Sequence, residues 1–67
     1  MPVIKIEMIE GKSLEQKRRI VKEITEVFVR VAGDKPEDVR IIMVEHPKEN
    51  LASSGTLLSD LSPEGTP

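Results

Sequence analysis

The sequence predicts a small α/β fold, a β-α-β unit with parallel strands plus a short C-terminal hairpin. Three observations carry this expectation. Alternating apolar residues run from Pro2 to Ile9, a capped amphipathic helix follows and ends at Gly33, and a β-branched run occupies Val39–Glu45. Strand, long helix and strand in that order call for parallel pairing through a right-handed crossover.

The opening stretch, Met1-Pro2-Val3-Ile4-Lys5-Ile6-Glu7-Met8-Ile9, reads as a strand with its proline at the very start. There a missing N–H costs little, whereas mid-strand it would break the ladder. Pro2, Ile4, Ile6 and Met8 share one face, and Val3, Lys5, Glu7 and Ile9 the other. The first of these faces is apolar and should lie on the core. Gly11, in Glu10-Gly11-Lys12, then allows a sharp turn.

Ser13-Leu14-Glu15-Gln16 has the form of a capping box, with Ser13 as N-cap and Gln16 three residues on. Ile20, Val21, Ile24, Val27, Phe28 and Val31 make one stripe at spacings of three and four, and Gly33 fits the position that ends such a helix. Lys17, Arg18, Lys22, Glu23 and Glu26 fall outside the stripe and read as a solvated face. Asp34–Asp38 should form a short turn, one turn of 3₁₀ helix capped by Asp34. Past His46-Pro47, taken as a turn, Leu51–Leu58 should form a hairpin around Ser54-Gly55. The domain is expected over residues 2–58 and a flexible tail over 59–67, with Ser62–Pro67 its most turn-rich part.

Bulk composition narrows the function. Sixty-seven residues make one domain, and at this size a chain buries only about 60% of its unfolded surface. Without cysteine there are no disulfides or thiolate metal sites, and a single histidine makes a dedicated metal centre a poor reading. Association with other copies is the remaining source of burial. One β-α-β unit also leaves two open sheet edges and a single covering helix, so an oligomer is expected on physical grounds alone. Ten basic and twelve acidic residues give a net charge of −2, and Phe28 is the only aromatic, which argues against nucleic acid as a partner. No apolar run approaches the roughly 18 residues of a membrane span, and no signal-peptide pattern opens the chain. A soluble, cytoplasmic protein is the expectation.

One chemical possibility stands out. If Met1 is removed, Pro2 becomes a free secondary amine at the end of a strand. An α-amino group has a reference pKa of roughly 7.7–8.0, which desolvation or a nearby cation lowers, and a base poised near neutrality suits proton shuttling between carbon and oxygen. Many chains begin Met-Pro without any such role, and with Met1 retained the nitrogen is an amide with no basic lone pair.

Pro2-Val3-Ile4-Lys5-Ile6, then Glu10-Gly11-Lys12-Ser13-x-Glu15-Gln16-Lys17, then Val39-Arg40-x-Ile42 with Glu45, and Ser54-Gly55 in the arm together resemble the 4-oxalocrotonate tautomerase family over residues 2–58. No single piece is specific, but their order and separation in so short a chain are. The resemblance implies a hexamer, of six identical chains or of three heterodimers. It also implies enol–keto isomerisation of 2-hydroxy-dienoates or related enolpyruvates, with neither metal nor cofactor, in the setting of aromatic catabolism.

By the same resemblance Pro2 is the catalytic base and acid, and Arg40 holds a substrate carboxylate and the neighbouring carbonyl, a task that suits a guanidinium fork. Lys12 stands where the family has an arginine, keeping the charge but losing the fork. Leu51 stands where the family has an aromatic, keeping the pocket apolar with less area. Taken alone, Arg40 reads first as a strand residue in a surface ion pair with a nearby acid such as Glu7, while Lys12 reads as readily as a solvated turn lysine and Leu51 as plain interface packing. The arm from Val44 to Ser54-Gly55 also resembles the β subunit of trans-3-chloroacrylic acid dehalogenase, whose partner chain supplies arginines and a carboxylate. The alternatives are therefore a subunit of a hetero-oligomeric dehalogenase or decarboxylase relative, and a non-catalytic oligomeric module of the same fold. Glu45 and Glu49 are the carboxylates that a dehalogenase reading would use to activate water.

Overall fold

Strand β1 (Val3–Ile9) pairs in parallel with β2 (Arg40–His46) in the computed structural model, which describes residues 1–61. The register sets Val3 beside Arg40, Ile6 beside Met43 and Ile9 beside His46. Side chains alternate across a pleated sheet, so Ile4, Ile6 and Met8 share a face with Ile41, Met43 and Glu45. Val3, Lys5, Glu7 and Ile9 share the opposite face with Arg40, Ile42, Val44 and His46. Two backbone bonds clamp the ends of the pair. The Arg40 N–H donates to the Pro2 carbonyl at 3.0 Å, and the Glu10 N–H donates to the His46 carbonyl at 2.9 Å.

Helix α1 (Leu14–Val27) starts on the expected capping box. The Ser13 hydroxyl accepts the Gln16 N–H at 3.1 Å, while the Gln16 side chain accepts the Ser13 N–H at 2.8 Å. Its last turn differs from a plain α-helix, because Phe28–Ala32 widens into a π turn before Gly33 reverses the chain at φ 75°. Ile20, Val21, Ile24 and Phe28 of the expected stripe are half-buried, but Val27 and Val31 are exposed. The solvated face also needs one correction. Lys17 is half-buried, and its ammonium reaches Glu45 of β2 at 2.8 Å, which ties the start of the helix to the sheet.

A 3₁₀ turn, Pro36–Asp38, leads into β2 as expected, yet Asp34 does not cap it. Lys35 holds the N-cap position without a side-chain bond, and Pro36 follows at the first helical position. Proline there needs no partner for the N–H it lacks, which makes a side-chain cap less necessary. His46 is the last residue of β2 rather than a turn residue, its ring 2.9 Å from the Glu7 carboxylate on the same face. Beyond a second 3₁₀ turn (Lys48–Asn50), β3 (Ala52–Ser53) and β4 (Thr56–Leu57) form the predicted hairpin. Its two-residue turn has Ser54 at φ 53° and Gly55 at φ 80°, the left-handed pair that matches strand twist. The Leu58 N–H donates to the Leu51 carbonyl at 2.8 Å, and Leu58–Leu61 forms one helical turn, α2. The remainder of the expected tail, from Ser62, lies outside the described residues.

None of the described residues is buried. Val3 is 61% exposed and Ile42 49%, both on the sheet face turned away from α1, while Val31 at the helix end is 73% exposed. Two strands and one helix enclose too little volume to remove any side chain fully from water. An unpartnered chain of this design forgoes most of the roughly 1.5–3 kcal/mol that each fully buried large aliphatic side chain contributes.

Candidate active site

The first two expected site residues meet at one end of the sheet. Pro2 is half-buried at the head of β1, its carbonyl held by the Arg40 N–H. Val3 pairs with Arg40, so alternation sends the Arg40 side chain to the face away from the helix, opposite to that of Pro2. Its guanidinium donates to the Glu37 carbonyl at 2.9 Å. The expected Arg40–Glu7 ion pair does not form; Glu7 faces Val44, four register steps along, and takes His46 instead. Arg40 is exposed and held by a neutral acceptor, which leaves its charge available to an anion.

Lys12 and Leu51 lie at the other end. Pro2 and Ile9 are seven residues apart along an extended chain, about 23 Å at roughly 3.3 Å per residue. Lys12 lies beyond Ile9, on the turn that enters α1. It lines an open groove with Gln16, Arg19, Ile20 and Glu23, and Pro2, Arg40 and Leu51 are not among that groove's residues. Leu51 follows the far end of β2 and is half-buried at the root of the arm. The four residues therefore fall into two pairs within one chain. If they act on a single substrate, that substrate sits between copies.

Glu45 and Glu49, the carboxylates of the dehalogenase alternative, are placed unequally. Glu45 is engaged by Lys17, while Glu49 is exposed on the 3₁₀ turn before the arm. Among the described residues, no group of three or more His, Asp or Glu side chains is arranged to hold a metal ion. No helix among them is long and apolar enough to cross a membrane. Two pairings had escaped the sequence reading, Lys17–Glu45 and Glu7–His46. Both join residues far apart in the chain, and only the strand register brings them together.

Comparison with known proteins agrees with this architecture. The family model for tautomerase enzymes matches residues 2–61. The chain is 34% identical over 61 residues to the 2-hydroxymuconate tautomerase of Bacillus subtilis strain 168, covering 91% of this chain and 98% of that one. It is also 34% identical to the 2-hydroxymuconate tautomerase of Comamonas testosteroni, covering 91% of this chain and 97% of that one. Among solved structures, a 4-oxalocrotonate tautomerase isozyme from Methylibium petroleiphilum matches with a TM-score of 0.88 at 33% identity, covering 96% of this chain and 100% of that one. A β-α-β unit with a parallel sheet, a hairpin arm and these relatives along nearly the whole chain make the protein an isomerase of the tautomerase family, in its 4-oxalocrotonate tautomerase branch.

Proposed function

We propose that this tautomerase interconverts the enol and keto forms of 2-hydroxy-dienoate or enolpyruvate-type carboxylates, without a cofactor, using Pro2 as base and acid once Met1 has been removed. The observation that carries the reading is the bond from the Arg40 N–H to the Pro2 carbonyl. It pins the half-buried proline at the rim of the apolar sheet face, which holds the amine in place. A fixed amine of moderate basicity takes the enol hydroxyl proton and returns a proton to carbon; the product is an isomer, and no oxidant or reductant enters. Arg40 supplies a bidentate grip on the carboxylate and stabilises charge on the adjacent oxygen as it develops. Lys12 adds a point charge for a second anionic group, and Leu51 supplies an apolar wall.

The separation of Pro2 and Arg40 from Lys12 and Leu51 favours sites shared between copies in an oligomer, with a homohexamer as the reading carried from the family resemblance. The direct test is the ketonisation of 2-hydroxymuconate by the assembled chain, with loss of Met1 established by intact mass. A rate well above that of buffer is expected. Pro2→Ala should lose most of that rate while the oligomer stays intact, and unchanged turnover in this variant would refute the mechanism.

A further inference from the structure

We infer that Phe28 is a positioning residue that sets the apolar surroundings of the Pro2 nitrogen. This inference rests on the reading of Pro2 as the base, and it assigns a role to the only aromatic side chain in the sequence.

Its basis is a distance argument along two antiparallel paths. Lys17 of α1 meets Glu45 of β2 at 2.8 Å, which fixes one point of contact between helix and sheet. From Lys17 to Phe28 the helix advances eleven residues, about 16.5 Å at roughly 1.5 Å each. From Glu45 back to Arg40 the strand covers five residues, also about 16.5 Å at roughly 3.3 Å each. Phe28 is thereby level with Arg40, whose N–H holds Pro2. The rotation agrees as well. Eleven residues at about 100° each bring Phe28 to within roughly 20° of Lys17 around the helix axis. Lys17 faces the sheet, so Phe28 faces it too, on the same side as Pro2, Ile4 and Ile41. Both Phe28 and Pro2 are half-buried.

The backbone holds Phe28 there. It is the first residue of the π turn, and its carbonyl accepts the Asp34 N–H at 3.3 Å. Single π turns inside helices recur at functional sites. An aromatic ring beside an amine removes water that would otherwise solvate the ammonium form, and so favours the free base. The ring thus helps keep the Pro2 nitrogen unprotonated near neutrality, which its task as a base requires.

The test is a titration of the ¹⁵N-labelled Pro2 nitrogen by NMR in the assembled, Met1-free chain, with Phe28→Ala and Phe28→Leu beside the parent. The nitrogen should titrate about 0.5–1 pH unit higher in Phe28→Ala and by a smaller rise in Phe28→Leu. The acid limb of kcat/KM should move by the same amounts. A nitrogen that titrates unchanged in both variants overturns the inference. Should Phe28→Ala fail to assemble, Phe28→Leu decides alone, because it keeps an apolar side chain while losing the ring. No substrate enters the NMR measurement, so a shifted titration without any ketonisation would count against the proposed reaction and not against the role of Phe28.

Discussion

The proposed sharing of a site between copies makes a quantitative prediction about mixed oligomers. Pro2→Ala removes the proposed base from one end of the chain, and Lys12→Glu reverses a charge at the other. Along β1 alone the two positions are separated by about 23 Å, far beyond the roughly 6 Å reach of a lysine side chain. Each variant alone should be strongly impaired. When the two are co-expressed in equal amounts and assemble at random, a site is intact only if its proline comes from a Lys12→Glu copy and its lysine from a Pro2→Ala copy. Each condition holds in half of the cases, so about a quarter of the parental rate should return in a heterologous arrangement. The assay is ketonisation of 2-hydroxymuconate by oligomers purified through two different tags, so that both variants are present in every particle counted. Activity no higher than the mean of the two single variants, in such mixed particles, would refute the shared site.

Arg40→Ala should lower kcat/KM, with effects on both substrate binding and turnover; a normal value would show that the guanidinium is only a brace for the Glu37 carbonyl. Ser13→Ala breaks one half of the capping box and should cost about 1 kcal/mol per chain, read as a lower denaturation midpoint at unchanged slope. The Arg19 side chain hydrogen-bonds the Glu23 carboxylate and, with its charge, holds it below the ordinary glutamate range. A lowered folded-state value means that the pair's contribution is complete above the unfolded value and is lost as pH falls through the folded one. The melting difference between the parent and Glu23→Gln should therefore be constant above about pH 5 and shrink below about pH 4. Because both groups are exposed, it should also fade in high salt.

Features that depend on a few neighbouring residues were the legible ones. The capping box needs only Ser13 and Gln16, and both of its bonds form. The hairpin turn needs only a residue pair that tolerates positive φ, and Ser54-Gly55 adopts it. The β-α-β order followed from the periodicity of two strands and one helix, and the parallel sheet followed from that order. The π turn at Phe28–Ala32 was not legible, because the same apolar spacing suits an α-helix. Asp34 was misread for a related reason: a capping residue is useful where a first turn has an N–H to satisfy, and Pro36 removes one.

The candidate site lay beyond sequence reasoning at the level of register. Placing Val3 beside Arg40 aligns an odd-numbered residue of β1 with an even-numbered one of β2, and this single offset decides which side chains share a face. One step of slippage would put Arg40 on the helix side with Pro2, free Glu45 from Lys17, and turn Ile41 and Met43 outward. Against that slip stand the Ile4, Ile6, Ile41 and Met43 set under the helix and the ion pair at its start. The same offset moves the Arg40 guanidinium to the face opposite Pro2, where Val3 and Ile42 remain exposed. The register that makes the one-chain unit coherent thus separates the side chains of the proposed site. On the proposed reading, burial of that outer face and completion of the site are two consequences of one association. A substitution such as Ile42→Asp, which charges the face without touching Pro2, Arg40, Lys12 or Leu51, should abolish both together, read as loss of the oligomer by native mass spectrometry and of ketonisation in the same sample.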